Sequence, residues 1–585
     1  METSAIVKPY IDPKMSYVYG KSNQNLSYDT VGTLLDEIAQ REPHSTAIVS
    51  FAEGISKSYE EFNHDVNRLV KGLVDGLKLE KGESVGIYSY NNYQWVLVQF
   101  ACLRLGLPLI PINPSYKAHE LSYILSQGEI KTLFVPGLNS SQAAINNHWN
   151  IVQGTVMIAD HKAGHIDNLK HIILLDGDQN TKFSLDNVNV YKWQQVFDND
   201  GVVDKSVVKS VSPDDIYAVY FTSGTTGFPK GATLTQNIVL NNASLASARV
   251  CTLTRGRTMR PNVCLPLPLF HCFAGVLGAL IPLSSGGSFV LTGARYNITS
   301  VVQAIMKFSC NTMMATPTIL IDLLAHIEAK KMNNLPLQTL IIAGAPVMAE
   351  LVHRAHKLLP KLDNVQIAYG ASETGPIITC QTIDEPPETR PYTVGPPLDF
   401  IEVRIVDINS GETVPFGHSG EVQTRGHNTM IGYYRDPTRT REAFAPGRWY
   451  RTGDLGILDK HGSLQIVGRI KDMIIKGGEN VYPAEVEHIL HGHEAIEDAH
   501  VVGVPDQRYG EEICAWVKLK QPHNSNSDSK KLSEKDIMDF CKEKLTYFKV
   551  PRYVLIVDEF PMTPTKKVKK FEMRDMSIKM LNLKK

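Results

Sequence analysis

Apolar and polar positions alternate along the first two-thirds of the chain in a strand–helix rhythm. Thr46 to Phe51 is a short apolar run that stops at Glu53-Gly54, the pattern of a strand and its turn. The next segment carries Phe62, Val66, Leu69, Val70, Leu73 and Leu77 at helical spacing, which puts them on one face. Ser58 and Glu61 stand where a capping box opens such a helix. Ser84 to Ser89 reads as a strand, Asn92 to Leu105 as a helix and Leu107 to Ile112 as a strand. Similar alternation recurs through Gly370 and predicts helices packed on sheets. After about Asp399 the texture changes. Glu402–Val406 and Gly420–Thr424 look like short strands between Gly and Pro turns. A smaller α+β unit begins just after Gly468-Arg469, with strands near Ala499–Val504 and Ile513–Leu519 and a helix from Ser533 to Leu545. Gln521 to Ser529 is a polar loop of low complexity that carries no chemistry. No internal repeat is present.

Length and composition narrow the picture. A chain of 585 residues exceeds what one core usually supports, so more than one domain is expected. Hydrophobic residues make up 43% and charged residues 21%, the balance of an ordinary globular protein. A formal net charge of -1 offers no global field for nucleic acid or an acidic partner. The 8 cysteines stand singly with no CxxC pair, which points to a reducing compartment and away from a zinc site or a disulfide framework. The best apolar run, Cys272 to Leu283, falls short of the roughly 20 residues of a membrane span, so no transmembrane segment is expected. Met1 to Lys14 lacks a hydrophobic signal core and makes a poor secretory or transit peptide. Leu583-Lys584-Lys585 is not a peroxisomal address.

The sharpest chemical signal is Thr222-Ser-Gly-Thr-Thr-Gly-Phe-Pro-Lys-Gly231, after a strand expected at Ile216–Phe221. Glycines let backbone N–H groups approach phosphate oxygens, and the hydroxyls of Thr222, Ser223, Thr225 and Thr226 add neutral donors around Lys230. The spacing is not that of a Walker A loop, because Pro229 precedes the lysine and Gly231 follows it. A flexible surface turn is the bland reading of a Gly/Ser/Thr loop; this order of residues is far more specific. It resembles the signature of the adenylate-forming superfamily, which includes acyl-CoA synthetases, luciferases and peptide-synthetase adenylation domains. Further stretches resemble that family's motifs in order: Pro268-Leu-Phe-His271, Tyr369-Gly-Ala-Ser-Glu373, Trp449-Tyr-Arg-Thr-Gly-Asp454, Gly468-Arg-Ile-Lys-Asp472, Lys476-Gly-Gly-Glu-Asn480 with Tyr482-Pro483, and Pro561-Met-Thr-Pro-Thr-Lys-Lys567.

The resemblance implies a role for each residue, and each role has a physical basis. Thr222, Ser223, Gly224, Thr225, Thr226, Gly227 and Lys230 would cradle the phosphates of ATP. Tyr369 and Gly370 would offer a flat face to adenine, Ser372 a donor to the α-phosphate, and Glu373 a hard oxygen ligand for Mg²⁺. Asp454 can accept from both ribose hydroxyls, and Arg469 presents a planar donor fork. His271 would gate the acyl pocket against the thiol tunnel; on chemistry alone a His beside Phe270 and Phe273 is a packed core residue. Gly275, Gly278, Ala343 and Gly344 either make room for an acyl chain or allow tight packing. Lys567 would neutralise the two anions that meet when a carboxylate attacks the α-phosphate. The family has Gly where this chain has Lys566, and Lys566, Lys569 and Lys570 read as a solvated basic run.

The implied architecture is α/β: a large N-terminal AMP-binding domain of layered α/β subdomains plus a small barrel (1–468), a hinge (469–472), and a mobile small α+β C-terminal domain (473–585). The implied reaction has two steps. ATP and a carboxylic acid give acyl-AMP and pyrophosphate; then rotation about Lys471 brings Lys476, Gly477 and Gly478 to the thiol of coenzyme A. Ser16-Tyr-Val-Tyr-Gly20, Asn113-Pro-Ser-Tyr116, Lys471–Asn480 and Phe548-Lys-Val-Pro551 most resemble the medium-chain fatty acyl-CoA ligases of animal mitochondria. That branch implies a mitochondrial address; the unpersuasive N-terminus leaves the cytoplasm as the alternative. A ligase acting on a protein-bound pantetheine and a luciferase-like oxygenase share the motifs and stay open. The expected partners are the small molecules ATP, fatty acid and coenzyme A.

Overall fold

The computed structural model describes residues 8–137, 148–159, 168–176, 188–198, 210–222, 229–251, 259–383, 385, 390–477, 479–520, 532–562 and 568–583. The early rhythm takes the form the sequence predicts. Strands Thr46–Ser50 and Ile55–Ser58 pair antiparallel, and helix Tyr59–Lys71 follows. Its capping box is complete: Ser58 Oγ accepts from the Glu61 amide at 3.2 Å, and a Glu61 carboxylate oxygen accepts from the Ser58 amide at 2.8 Å. The helical path was expected to run on to Leu77. Instead it widens into a π-type turn over Gly72–Gly76. Backbone crowding accompanies the change: a Cβ on Gly72 would stand 1.7 Å from the carbonyl oxygen of Val196. Helix Tyr93–Leu105 is capped by Asn92, whose Oδ1 accepts from the Trp95 amide at 2.7 Å.

The chain divides into two compact units. The first comprises Met1–Tyr10, Val18–Val403 and Thr424–Tyr450; the second comprises Ile11–Tyr17, Arg404–Gln423 and Arg451–Lys585. Within the first unit, two sheets of eight described strands each are mostly parallel and carry helices, as βαβ connections require. One sheet is ordered Gly432–Tyr433, Lys230–Thr235, Ile216–Thr222, Leu109–Pro111, Val85–Ile87, Thr132–Val135, His171–Leu174, Asn189–Lys192, and its first two pairings are antiparallel. The other runs Thr379–Cys380, Asn364–Tyr369, Thr339–Ile342, Thr312–Ala315, Asn262–Leu265, Ser288–Leu291, Thr46–Ser50, Ile55–Ser58. Both deliver loops from the C-terminal ends of their parallel strands, where α/β sheets place ligands.

The second unit holds a five-stranded sheet dominated by the long hairpin Ile496–Asp506 with Gly510–Leu519. Helices Pro483–His491, Glu534–Lys544 and Lys570–Met580 accompany it. Ile474, Val486, Val501, Ile513 and Ile537 form one core cluster; Trp516, Phe560 and Met573 form another. Trp516 Nε1 donates to Ser577 Oγ at 2.7 Å, which ties the last helix to the sheet. All eight cysteines are buried and free. Among the described residues, no helix is long and apolar enough to cross a membrane.

Candidate functional site

In the first unit, strands Ile216–Thr222 and Lys230–Thr235 form an antiparallel ribbon with Thr222 opposite Lys230. Ser223, Gly224, Thr225, Thr226 and Gly227, between them in sequence, lie outside the described residues. Strand Asn364–Tyr369 ends at half-buried Tyr369, Gly370 follows, and a single tight turn, Ser372–Thr374, carries Ser372 and Glu373. That turn is held by the Ala371 amide donating to Thr374 Oγ1 at 2.9 Å. The Glu373 carbonyl accepts from the Met430 amide at 2.8 Å. Glu373 is 8% exposed, and its Oε1 accepts from the Tyr433 hydroxyl at 3.0 Å and from Thr222 Oγ1 at 3.4 Å.

Tyr433 reaches Glu373 because Gly432–Tyr433 pairs along Lys230–Thr235, with Tyr433 opposite Ala232 and Gly432 opposite Thr233. The Lys230 ammonium lies over the Tyr433 ring, 5.1 Å from its centroid. Burial, and then the neighbouring Glu373 charge, push the Tyr433 hydroxyl well above the usual phenol range. Sequence reasoning missed Tyr433. Its partner Glu373 is sixty residues earlier in the chain, and a Gly-Tyr pair carries no signal of its own.

His271 stacks at a tilt on Phe270, with ring centroids 4.6 Å apart, and its neighbour Cys272 lies 3.2 Å, Sγ to Oγ, from Ser372. A cavity of about 40 Å³ is lined by Asn113, Tyr116, Phe221, Phe270 and His271, among others. That volume takes one or two water-sized groups. Gly275 and Gly278 serve tight packing. A Cβ on Gly275 would lie 2.3 Å from the Leu269 carbonyl oxygen and 2.7 Å from the Tyr220 hydroxyl. One on Gly278 would lie 2.5 Å from the Leu265 side chain. Gly344 differs: with φ +90, its nearest neighbour in that direction is Thr316 Cγ2 at 3.8 Å.

In the second unit, Asp454 and Arg469 are direct cross-strand partners in the hairpin Trp449–Leu458 with Leu464–Arg469. Arg469 Nε lies 3.1 Å from Asp454 Oδ1, with the arginine side chain 57% exposed. The Asp454 amide donates to Thr452 Oγ1 at 3.0 Å. Lys471 is exposed in a one-turn helix, Ile470–Asp472. Lys476 forms an ion pair with Glu512, both side chains largely buried. Gly477 sits in the turn of the hairpin Ile474–Lys476 with Glu479–Val481 at φ +61, a left-handed conformation that suits glycine. Gly478, Lys566 and Lys567 lie outside the described residues. Lys569 and Lys570 correct the expectation of a solvated basic run: their Nζ atoms reach Glu572 at 2.8 Å and Glu487 at 2.6 Å. Glu487 is over 80 residues away in sequence, so no local pattern announced it.

The first unit thus gathers Thr222, Lys230 and Glu373 around Tyr433, with Ser372 adjoining, as an assembly of oxygen donors and one ammonium suited to phosphate and a hard cation. The second gathers Asp454 and Arg469, suited to a diol. Comparison with known proteins gives these groups a context. Residues 35–434 match the model of the family described as AMP-binding enzyme, and residues 485–567 match that of the AMP-binding enzyme C-terminal domain. The chain is 34% identical over 576 residues to the mitochondrial medium-chain acyl-CoA ligase ACSF2 of Danio rerio, covering 97% of this chain and 91% of that protein. It is also 34% identical over 572 residues to the putative acyl-CoA synthetase YngI of Bacillus subtilis (strain 168), covering 95% and 99%. The crystal structure of the anthranilate CoA ligase AuaEII in complex with anthranoyl-AMP has the same fold: TM-score 0.77 at 24% identity, over 96% of this chain and 99% of that one.

Proposed function

The chain belongs to the AMP-binding enzyme family as an AMP-forming acyl-CoA synthetase/ligase, and from that premise we propose that it joins medium-chain fatty acids to coenzyme A through an acyl-adenylate. The observation that carries this reading is the convergence of Thr222, Lys230 and Glu373 in the first unit. Together with Ser223, Gly224, Thr225, Thr226 and Gly227 they receive the phosphates of ATP. Glu373 fits a divalent cation: Tyr433 and Thr222 occupy only its Oε1, and among the described residues Oε2 accepts no hydrogen bond. Bound Mg²⁺ would supply charge neutralisation on the phosphates there. Tyr369 and Gly370 face adenine, Ser372 donates to the α-phosphate, and Asp454 with Arg469 receives the ribose. Lys567 neutralises the two anions as the carboxylate attacks phosphorus. Pyrophosphate leaves. Rotation about Lys471 then lets Lys476, Gly477 and Gly478 serve the thiol of coenzyme A, which displaces AMP from the acyl carbon past His271.

The test is pyrophosphate release and acyl-CoA formation across saturated acids from acetate to palmitate. The expected result is both products, with kcat/KM rising through the short chains and peaking at medium length. Each added buried methylene contributes roughly 0.8 kcal/mol, about fourfold, until the pocket ends. A peak at acetate or at an aromatic acid overturns the substrate class. Pyrophosphate release without thioester, in the presence of coenzyme A, points to a protein-bound pantetheine as acceptor. The compartment we assign is the mitochondrion, on the strength of the animal relative; fractionation of the tagged chain tests it, and a cytosolic tag overturns it.

A further inference from the structure

Two opposite charges share one tyrosine in the first unit without pairing. Among the described residues, no carboxylate lies within ion-pair distance of Lys230, and no cation within that distance of Glu373. A buried carboxylate usually acquires a cationic partner, because isolated charge is costly in a poorly solvated site. Here Tyr433 fills the place of that partner. Its hydroxyl donates to Glu373 Oε1 at 3.0 Å, and its ring face carries the Lys230 ammonium 5.1 Å from the centroid. The phenol is itself fixed. It is 8% exposed, and its strand pairs with Lys230–Thr235.

A neutral donor and a π face stabilise both charges without cancelling either. Donation to Oε1 also divides the carboxylate: one oxygen belongs to the protein, and Oε2 accepts nothing from the described residues. We propose that Tyr433 is a positioning residue that keeps Glu373 and Lys230 from pairing with each other, holding the carboxylate for a divalent cation and the ammonium for the nucleotide's phosphates. The inference rests on the reading of Glu373 as a metal ligand given above.

Calorimetric titration of the full-length protein with MgATP, and with ATP in the presence of EDTA, tests it. Tyr433→Phe keeps the ring, its packing and the seat of Lys230, and removes only the donor. It should weaken MgATP binding about tenfold, the size expected for one hydrogen bond to a charged group, and leave metal-free ATP within about twofold. Glu373→Gln should do the same, and adding Tyr433→Phe to it should cause no further loss. Tyr433→Leu removes the ring as well; Lys230 then falls to Glu373, and binding of both forms of ATP weakens. Equal weakening of both nucleotides by Tyr433→Phe, or full additivity with Glu373→Gln, overturns the positioning role. The two readings fail separately. If Glu373→Gln does not discriminate MgATP from ATP, the metal-ligand reading is wrong. If it discriminates and Tyr433→Phe does not, only the role of Tyr433 is lost.

Discussion

In the first unit the candidate chemistry is held by neutral hydroxyls on a buried carboxylate; in the second it is held by ion pairs. Tyr433 and Thr222 donate to Glu373 without carrying charge of their own. Asp454 and Lys476 each face an opposite charge, but their surroundings differ. Arg469 is 57% exposed, so its pair with Asp454 is weak and readily exchanged for another donor. Lys476 and Glu512 are 12% and 4% exposed, so separating them strands a desolvated charge. Polar partners therefore do three different jobs in this chain: hydroxyls present a charge, a wet ion pair lends one, and a dry ion pair holds its strand in place.

The comparison breaks first at Lys476. Lys476→Ala should destabilise the protein by about 3–5 kcal/mol, toward the lower end because Arg552 lies 4.0 Å from Glu512 and gives partial compensation. Urea unfolding followed by far-UV circular dichroism measures it. A loss under about 1 kcal/mol would make this pair no different from a surface one.

Next in size is Lys567→Ala. The acyl-adenylate half-reaction should slow about 10²–10³-fold while conversion of supplied acyl-AMP to thioester continues. Single-turnover assays of each half-reaction, with Lys566→Ala alongside, settle which lysine acts. Equal loss in both halves would mean the lysine supports structure rather than charge neutralisation.

Gly477→Leu should cost about 1–2 kcal/mol of stability from its left-handed backbone alone, with a Cβ only 3.0 Å from the Tyr509 ring. Beyond that cost, thioester formation should fail while pyrophosphate exchange persists. Gly477→Asn tolerates positive φ and separates strain from crowding at the thiol. If Leu depresses both half-reactions in step with its melting temperature, the residue is a turn and nothing more. The smallest effect belongs to Arg469→Gln, which should change stability by less than about 1 kcal/mol yet raise KM for ATP about tenfold. Steady-state kinetics beside a thermal melt would show it, and a large melting shift with unchanged KM would contradict the lending role.

Local signals in the sequence led to the right elements wherever local chemistry decides them. The Ser58–Glu61 box and the Asn92 and Ser533 starts of their helices were readable because each is closed by partners within three residues. Strand Ile216–Thr222 and the long hairpin of the second unit followed from short apolar runs. What stayed hidden depends on distant chain. Tyr433 matters because strand pairing lays it beside Glu373. Lys570 matters because folding brings Glu487 to it. Gly275 matters because Leu269 and Tyr220 close on it. The π-type turn at Gly72 likewise reflects Val196, more than a hundred residues away. Motif order showed which residues to consider; only the fold shows which of them are already engaged.

The buried cysteines have a use unrelated to catalysis. Cys102, Cys251, Cys264, Cys272, Cys310 and Cys380 lie in the first unit, Cys514 and Cys541 in the second. Burial pushes the thiols of Cys380, Cys514 and Cys541 up to about 11, which keeps them unreactive while their surroundings stay closed. An alkylating reagent added to the native protein therefore marks a thiol only when the structure around it opens. Intact-mass spectra taken over time count the adducts, and peptide mapping assigns them. Two early adducts report loosening of the second unit alone, and six report the first. Without any engineered label, the chain records in mass units which part lets go first.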